Sequence, residues 1–446
     1  MDIKPTYGRF TVYASQYCKL DSNVISGGGT DETETIQSIL NMALVWGSLH
    51  LIVDGAALVH GIYVHSNTTI ECLNADCGFY LADGSDDCIV RNAEISMTEI
   101  TTKNICFCGG TYNINGEHQA MCPPEEKAEP AGYGCSEMLV GMRFFGVDGF
   151  RMEHVTIENQ RRYALMMGNW KNVIFDDIHM PLTKLIPETN QDGLHFHAPG
   201  ENLRITNAYG NDGDDFIAIN TDEGDQKSSI SGVVIDGVYL YHACQGIRLL
   251  CADGGTLEKV SIRNVFGSVK SFGFFINPWF TKHHTSGKFR NISIENVHLK
   301  QYEHLYQYTN PCLFNIGGDI ENLVLRNVSA ESPDVDFQAL QFDKGVPWDG
   351  YPTRIKNMTV DGLSITDGGK NPGEKKWITF SRDIDIESMT IRNVSADACG
   401  KSDALIHIAE EVNIGELNLS GIRAEGFSDC VKGESTNVNM TDIKIG

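Results

Sequence analysis

The residues best suited to chemistry lie in two short patches. Asn190-Gln191-Asp192-Gly193-Leu194-His195-Phe196-His197 carries one acid and two imidazoles. Gly213-Asp214-Asp215-Phe216-Ile217-Ala218-Ile219, about two dozen residues on, carries two adjacent acids. Each patch runs into an apolar, strand-like stretch. Carboxylates grouped in this way suit cleavage of a glycosidic bond, where one acid protonates the leaving oxygen and another activates water. Three carboxylates held close together cannot all ionise freely, so one is expected to keep its proton near neutral pH. This chemistry requires Asp192 directly beneath the Asp214–Asp215 pair, on neighbouring rungs of one scaffold, with the acids on an outer wall facing water and a groove.

A repeat supplies such a scaffold. Short runs of alternating apolar residues start at Val173, Leu203, Val233, Val260, Ile292, Leu323, Met358, Met389, Leu417 and Val438, a period of about 30 residues. The alternation is the two-residue period of a strand, and an Asn or Asp usually follows four residues after the first apolar one. One strand with one buried face cannot fold alone, so the copies must stack. The expected fold is all-β, a single right-handed parallel β-helix over residues 1–446, with Asn side chains bonding from coil to coil at equivalent bends. A second strand per copy (Leu194–His197, Ile217–Asn220, Gly246–Leu249, Gly273–Asn277 and onward) forms a separate sheet whose outward positions line a groove. The repeat also creates Asn-x-Ser/Thr triplets at Asn291, Asn327, Asn357, Asn393, Asn418 and Asn439, which read better as stacked bends than as glycosylation sites.

Bulk properties narrow the partners. The chain has 446 residues, 41% of them hydrophobic, and a formal net charge of −24. Phosphate binding needs a basic face, so nucleic acid is excluded as a partner. A polyanionic substrate would be repelled without a local basic cradle. The best membrane-span candidate, Met42 to Val59, is broken by His50 and Asp54, and the first residues lack the apolar core of a signal peptide. The thirteen cysteines include no Cys-x-x-Cys, and buried reduced thiols are expected. Together these favour a cytoplasmic protein acting on a carbohydrate taken into the cell, or a secreted one if a signal has been removed.

Around the repeat, residues 30–46 read as a short helix capping the N-terminal end of the bore. Asp31 and Glu34 have capping-box spacing, and Ile36, Ile39, Leu40, Ala43 and Leu44 share one face. Residues 117–136 read as a long groove-side loop. The last residues form a strand with no cap, so a second copy of the chain or an earlier loop is expected to cover that edge.

The chain resembles the polygalacturonase-type glycoside hydrolases, family 28, of the pectin-lyase-like β-helix superfamily. The resemblance rests on Gly29 to Thr33, on Gly-Gly-Thr-Tyr-Asn-Ile-Asn-Gly at 109–116, on Asn190-Gln191-Asp192-Gly193 and on Gly213-Asp214-Asp215. It implies a hydrolase in which Asp214 is the general acid, Asp192 and Asp215 hold and deprotonate water, and the anomeric centre inverts. Two family motifs depart. The His of Gly-His-Gly is replaced by Gln245 in Cys244-Gln245-Gly246, with His242 as the nearest alternative imidazole. The Arg-Ile-Lys that binds the sugar carboxylate falls at Phe275-Ile276-Asn277, which points away from standard polygalacturonan. Arg248 remains as one outward cation for a carboxylate or hydroxyl. Phe275 and Trp279 suit stacking on a neutral sugar. His195, His197, Asn220, His242, Gln245, Arg248, Phe275, Asn277 and Trp279 are thus the expected substrate contacts, with no metal or cofactor.

Other readings compete. His195 and His197 share one side of a strand beside Asp192 and suit a metal ion as well as sugar hydroxyls, or plain surface. Asp212, Asp214, Asp215, Asp222, Glu223 and Asp225 suit calcium and a lyase or epimerase, for which only Arg248 is a candidate base. Lys282-His283-His284 reads as a solvated loop. A carbohydrate-binding β-helix without catalysis would explain the replaced His but not the retention of three mutually repelling acids.

Overall fold

The computed structural model describes residues 10–120, 140–184, 190–224, 228–252, 254–278, 286–302, 311–332, 338–343, 352–367, 377–433 and 437–446. Most of the 117–136 loop, Trp279 and Lys282-His283-His284 lie outside the described residues, as do the side chains of Asp222, Glu223 and Asp225. The chain is 68% strand and 5% helix, a right-handed parallel β-helix, with one short α-helix among the described residues. Its contacts divide it into two units, Met1–Ile217 and Ala218–Gly446. Among the described residues no helix is long and apolar enough to cross a membrane.

Both units use the same device to turn the chain into coils. A strand keeps running until a single residue adopts left-handed φ, and the bend recurs at the same register in the next coil. In the first unit one bend column is Asn67, Asn104, Gly149, Asn172 and Asn202, with φ between 54° and 83°. In the second unit the column Gly237, Asn264, Asn296, Asn327, Gly362, Asn393, Gly421 and Asp442 has φ between 49° and 84°. Gly, Asn and Asp fill these positions because they tolerate that region. Asn also brings an amide that bonds along the stack. Asn327 Nδ2 donates to Asn296 Oδ1 (2.7 Å), Asn296 to Asn264 (3.2 Å), Asn357 to Asn322 (3.1 Å), Asn322 to Asn291 (3.2 Å) and Asn439 to Asn418 (3.0 Å). Asn393 donates to Asp361 at 2.8 Å. All six Asn-x-Ser/Thr triplets therefore have their Asn engaged between coils.

The alternating apolar residues fill the bore. In the first unit Phe79, Tyr112, Phe107, Phe144, Phe150, Phe175 and Phe196 form a chain of rings with centroids 4.8–5.9 Å apart. In the second unit Phe274 stacks on Phe314 (4.6 Å) and Phe342 on Phe380 (4.4 Å), one coil apart. Period-two burial in parallel register makes like side chains meet along the axis.

The helix runs Thr33–Trp46 and buries Ile36, Ile39, Leu40 and Ala43. Two expectations for it are corrected. Leu44 is 68% exposed, since the buried stripe is one residue narrower. No side-chain capping box forms: Glu32 is the N-cap, its N–H donates to the Leu58 carbonyl (3.0 Å), and Asp31 instead accepts from the Thr33 N–H at 3.0 Å. Docking on the neighbouring strand sets the helix entry. Gly47, at φ 76°, ends it with its N–H on the Ala43 carbonyl. At the other end the strand Val438–Ile445 is exposed along most of its length, and Met440 is 56% exposed. The cysteines among the described residues form no disulfide, and only Cys399 is exposed.

Candidate active site

Asp192, Asp214 and Asp215 all belong to the first unit. The coil that carries Asp192 is fixed from both sides by backbone bonds. Ala164 N–H donates to the Asp192 carbonyl (2.9 Å), and Gly193 N–H donates to the Asp215 carbonyl (2.9 Å). Tyr163, Asp192 and Asp215 therefore occupy one position on three successive rungs. Gly193 is the residue that allows the approach: a Cβ there would fall well under 3.0 Å from the Phe216 carbonyl oxygen and 3.1 Å from the Met180 thioether. The turn before Asp214 is held by Asn211. Its Oδ1 accepts from Leu182 N–H (2.8 Å), and its Nδ2 donates to the Leu182 carbonyl (3.0 Å). Gln191 is fully buried and donates to the Gln160 carbonyl at 2.8 Å, which pins the residue before Asp192.

The result is a compact trio. One carboxylate oxygen from each of Asp192, Asp214 and Asp215 lies within 4.8 Å of the others. The acids are not spread on an open wall as the sequence reading expects. Asp192 is 1% and Asp215 3% exposed, while Asp214 is half-buried. Two charges at this separation repel by about 3.5 kcal/mol at an effective dielectric of 20. The same three oxygens have the spacing and chemistry to hold a hard divalent cation.

The two imidazoles sit beside this trio inside the first unit. His195 Nδ1 lies 2.6 Å from Asp192 Oδ2. Its ring stacks on Tyr163 at 4.1 Å with 4° between planes. His197 meets the His195 ring edge-on at 4.8 Å. Both are buried, at 2% and 3% exposure. The sequence alone does not single out Tyr163 as a site residue; the register Leu165↔Leu194 places it opposite Asp192.

The remaining expected contacts belong to the second unit. Gln245 and Arg248 are 1% and 8% exposed, and Arg248 Nη2 donates to Gln245 Oε1 at 2.9 Å. The Arg248 guanidinium lies 4.9 Å over the Phe275 ring, which is 4% exposed and packed with Leu250, Phe272 and Cys312. Asn277 donates to Asn315 at 3.0 Å and is 1% exposed. Asn220 is buried. His242 sits at an exposed bend with φ 56°, its N–H on Ser268 Oγ (3.1 Å) and its ring edge-on to Tyr302 at 4.4 Å.

Comparisons with known proteins give the fold and the family. Several solved structures are similar. An exopolygalacturonase of family 28 from Yersinia enterocolitica is 13% identical with a TM-score of 0.55, over 99% of this chain and 78% of that one. PfbA, a surface adhesin of Streptococcus pneumoniae, is 12% identical with a TM-score of 0.51, over 96% and 92%. The pre-mature gene product 12 of bacteriophage phi29 is 12% identical with a TM-score of 0.68, over 97% and 55%. Likeness at these identities shows the fold alone. No curated protein matches the chain. The profile of glycosyl hydrolases family 28 matches residues 64–379, well over half of the sequence and including all three acids. The chain therefore belongs to glycosyl hydrolases family 28.

Proposed function

We propose that the protein is a glycoside hydrolase acting on an oligo- or polysaccharide by acid–base catalysis through Asp192, Asp214 and Asp215. The observation that carries this reading is the approach of the three carboxylates to within 4.8 Å in a chain of this family. The division of labour is the one the resemblance to family 28 implies, and exposure fits it. Asp214, the half-buried acid, reaches the glycosidic oxygen and gives it a proton. Asp192 and Asp215, both withdrawn, grip a water molecule and take its proton as its oxygen attacks the anomeric carbon. The sugar–oxygen bond breaks, and the anomeric centre inverts. The 4.8 Å limit is between one oxygen of each acid, whereas the ~6.5–9.5 Å of ordinary inverting pairs is between carboxyl groups, so the product anomer decides the stereochemistry.

The substrate reading follows from the sequence positions that the family resemblance compares and from the charge of the chain. The Yersinia relative is named an exopolygalacturonase. Here the positions of the family's carboxylate-binding cations are Phe275 and Asn277, both buried, in a chain of net charge −24. A neutral or weakly acidic glycan fits better than polygalacturonan.

The test is a panel of defined neutral and acidic oligosaccharides, polygalacturonan among them, with the product anomer read by NMR. The expected result is cleavage of a neutral or sparsely charged glycan with inversion, at a rate unchanged by EDTA. No cleavage of any member would turn the reading to a carbohydrate-binding β-helix. Loss of rate with EDTA would turn it to a cation-dependent lyase or epimerase.

A further inference from the structure

The geometry points to His195 as a positioning residue for Asp192, one that fixes which oxygen of that carboxylate meets the water. This rests on the hydrolase reading and goes beyond it, since the family's own imidazole position is occupied here by Gln245. His195 Nδ1 is 2.6 Å from Asp192 Oδ2, and both side chains are 2% exposed. Against a carboxylate, Nδ1 carries the hydrogen and donates it. The ring cannot swing, because Tyr163 lies flat on one face at 4.1 Å and His197 meets it edge-on at 4.8 Å. Tyr163 comes from the preceding rung at the position equivalent to Asp192, so the parallel register places the clamp. Asp192 Oδ1 has no hydrogen-bond partner among the described residues and is fully buried. One oxygen is thus held and the other is left to receive a proton. Charge-assisted bonds of this length are the strong ones, and they orient as well as stabilise. His195 touches no reacting atom in this arrangement; it acts through Asp192.

Two variants and one spectrum test the assignment. His195→Phe keeps an aromatic disc on Tyr163 and removes the donor. His195→Asn loses the ring but returns an amide N–H where Nδ1 stood. On the best-cleaved glycan, His195→Phe is expected to lower kcat roughly 10- to 100-fold with KM within about twofold, the range of one hydrogen bond to a charged group. His195→Asn is expected to recover most of that loss. Wild-type protein labelled with ¹⁵N-histidine should show a far-downfield ring N–H resonance that disappears in Asp192→Asn. That resonance reports the pair without any turnover, and it decides the matter together with His195→Asn even where His195→Phe does not fold. An absent resonance, a His195→Phe enzyme with wild-type kcat, or a His195→Asn enzyme as slow as His195→Phe would overturn the assignment and leave the hydrolase reading intact. A resonance that behaves as expected in a protein that cleaves no glycan would instead sink the hydrolase reading, and the positioning role with it.

Discussion

Gly193→Ala puts the tightest contact of the site under test. An added Cβ falls well under 3.0 Å from the Phe216 carbonyl oxygen, a backbone atom that cannot rotate away, and 3.1 Å from the Met180 side chain. Relief requires the two rungs to part by roughly 1 Å, since non-bonded atoms settle near ~3.5 Å. The Gly193 N–H to Asp215 carbonyl bond, now 2.9 Å, would then be lost. Overpacking costs about 1–3 kcal/mol and the lost bond about 1, together roughly 2–4 kcal/mol. For a chain of this length that corresponds to a fall in Tm of about 2–4 °C. The same 1 Å separates Asp192 from Asp215, and a displacement of that size costs about 100-fold in rate. Differential scanning calorimetry and steady-state kinetics on the cleaved glycan measure both quantities. A variant with wild-type melting and wild-type kcat would refute the claim that rung spacing at Gly193 sets the geometry of the acids.

Three further outcomes are expected. Burial pushes the Cys72 and Cys106 thiols up to about 12, so at about pH 8 iodoacetamide should label the exposed Cys399 in native protein and spare those two, as mass spectrometry of the digested protein would show; rapid native labelling of Cys72 would contradict the packing. The hydrogen bond from His154 holds the Asp177 carboxyl below its usual value, and Asp177 raises the imidazole of His154. The contribution of Asp177 is present above the ordinary carboxylate value and lost as pH falls through its lowered one; that of His154 is complete below the ordinary imidazole value and lost as pH rises through its raised one. Asp177→Asn should therefore lower Tm slightly more at about pH 5.5 than at about pH 8.5, and the reverse order would refute the pairing. Asn327→Gly keeps the left-handed bend and removes the amide bridge to Asn296, so a loss of about 1 kcal/mol by denaturant titration measures the ladder alone, and an unchanged midpoint would assign the bend's stability to φ alone.

The fold was legible because its signals are local and repeated. Val173, Leu203, Val233 and their successors show the strand period, and the Asn or Gly at each bend shows where the chain must turn. The acids were legible as a group because Asp192 and the Asp214–Asp215 pair each precede a second-column strand. Their depth was not. Alternation predicts which side chains leave the bore, but Asp192 and His195 are covered by neighbours distant in sequence, and no periodicity records that. His195 thus reads as a sugar contact in one dimension and as a partner of Asp192 in three. The same limit applies to Phe275, an exposed stacking ring by pattern and a buried ring under Arg248 in space. The Asp31–Glu34 spacing matches a capping box, yet the backbone bond from Glu32 to Leu58 decides the helix entry.

The most direct measurement of the central claim is the turnover of Asp214→Asn beside wild type on the best-cleaved glycan, with melting recorded on the same samples. Amidation removes one of three mutually repelling acids and the only proton donor assigned to the leaving oxygen. The account predicts that turnover is abolished while Tm stays within a few degrees of wild type. Turnover at the wild-type rate in a well-folded Asp214→Asn protein would contradict it.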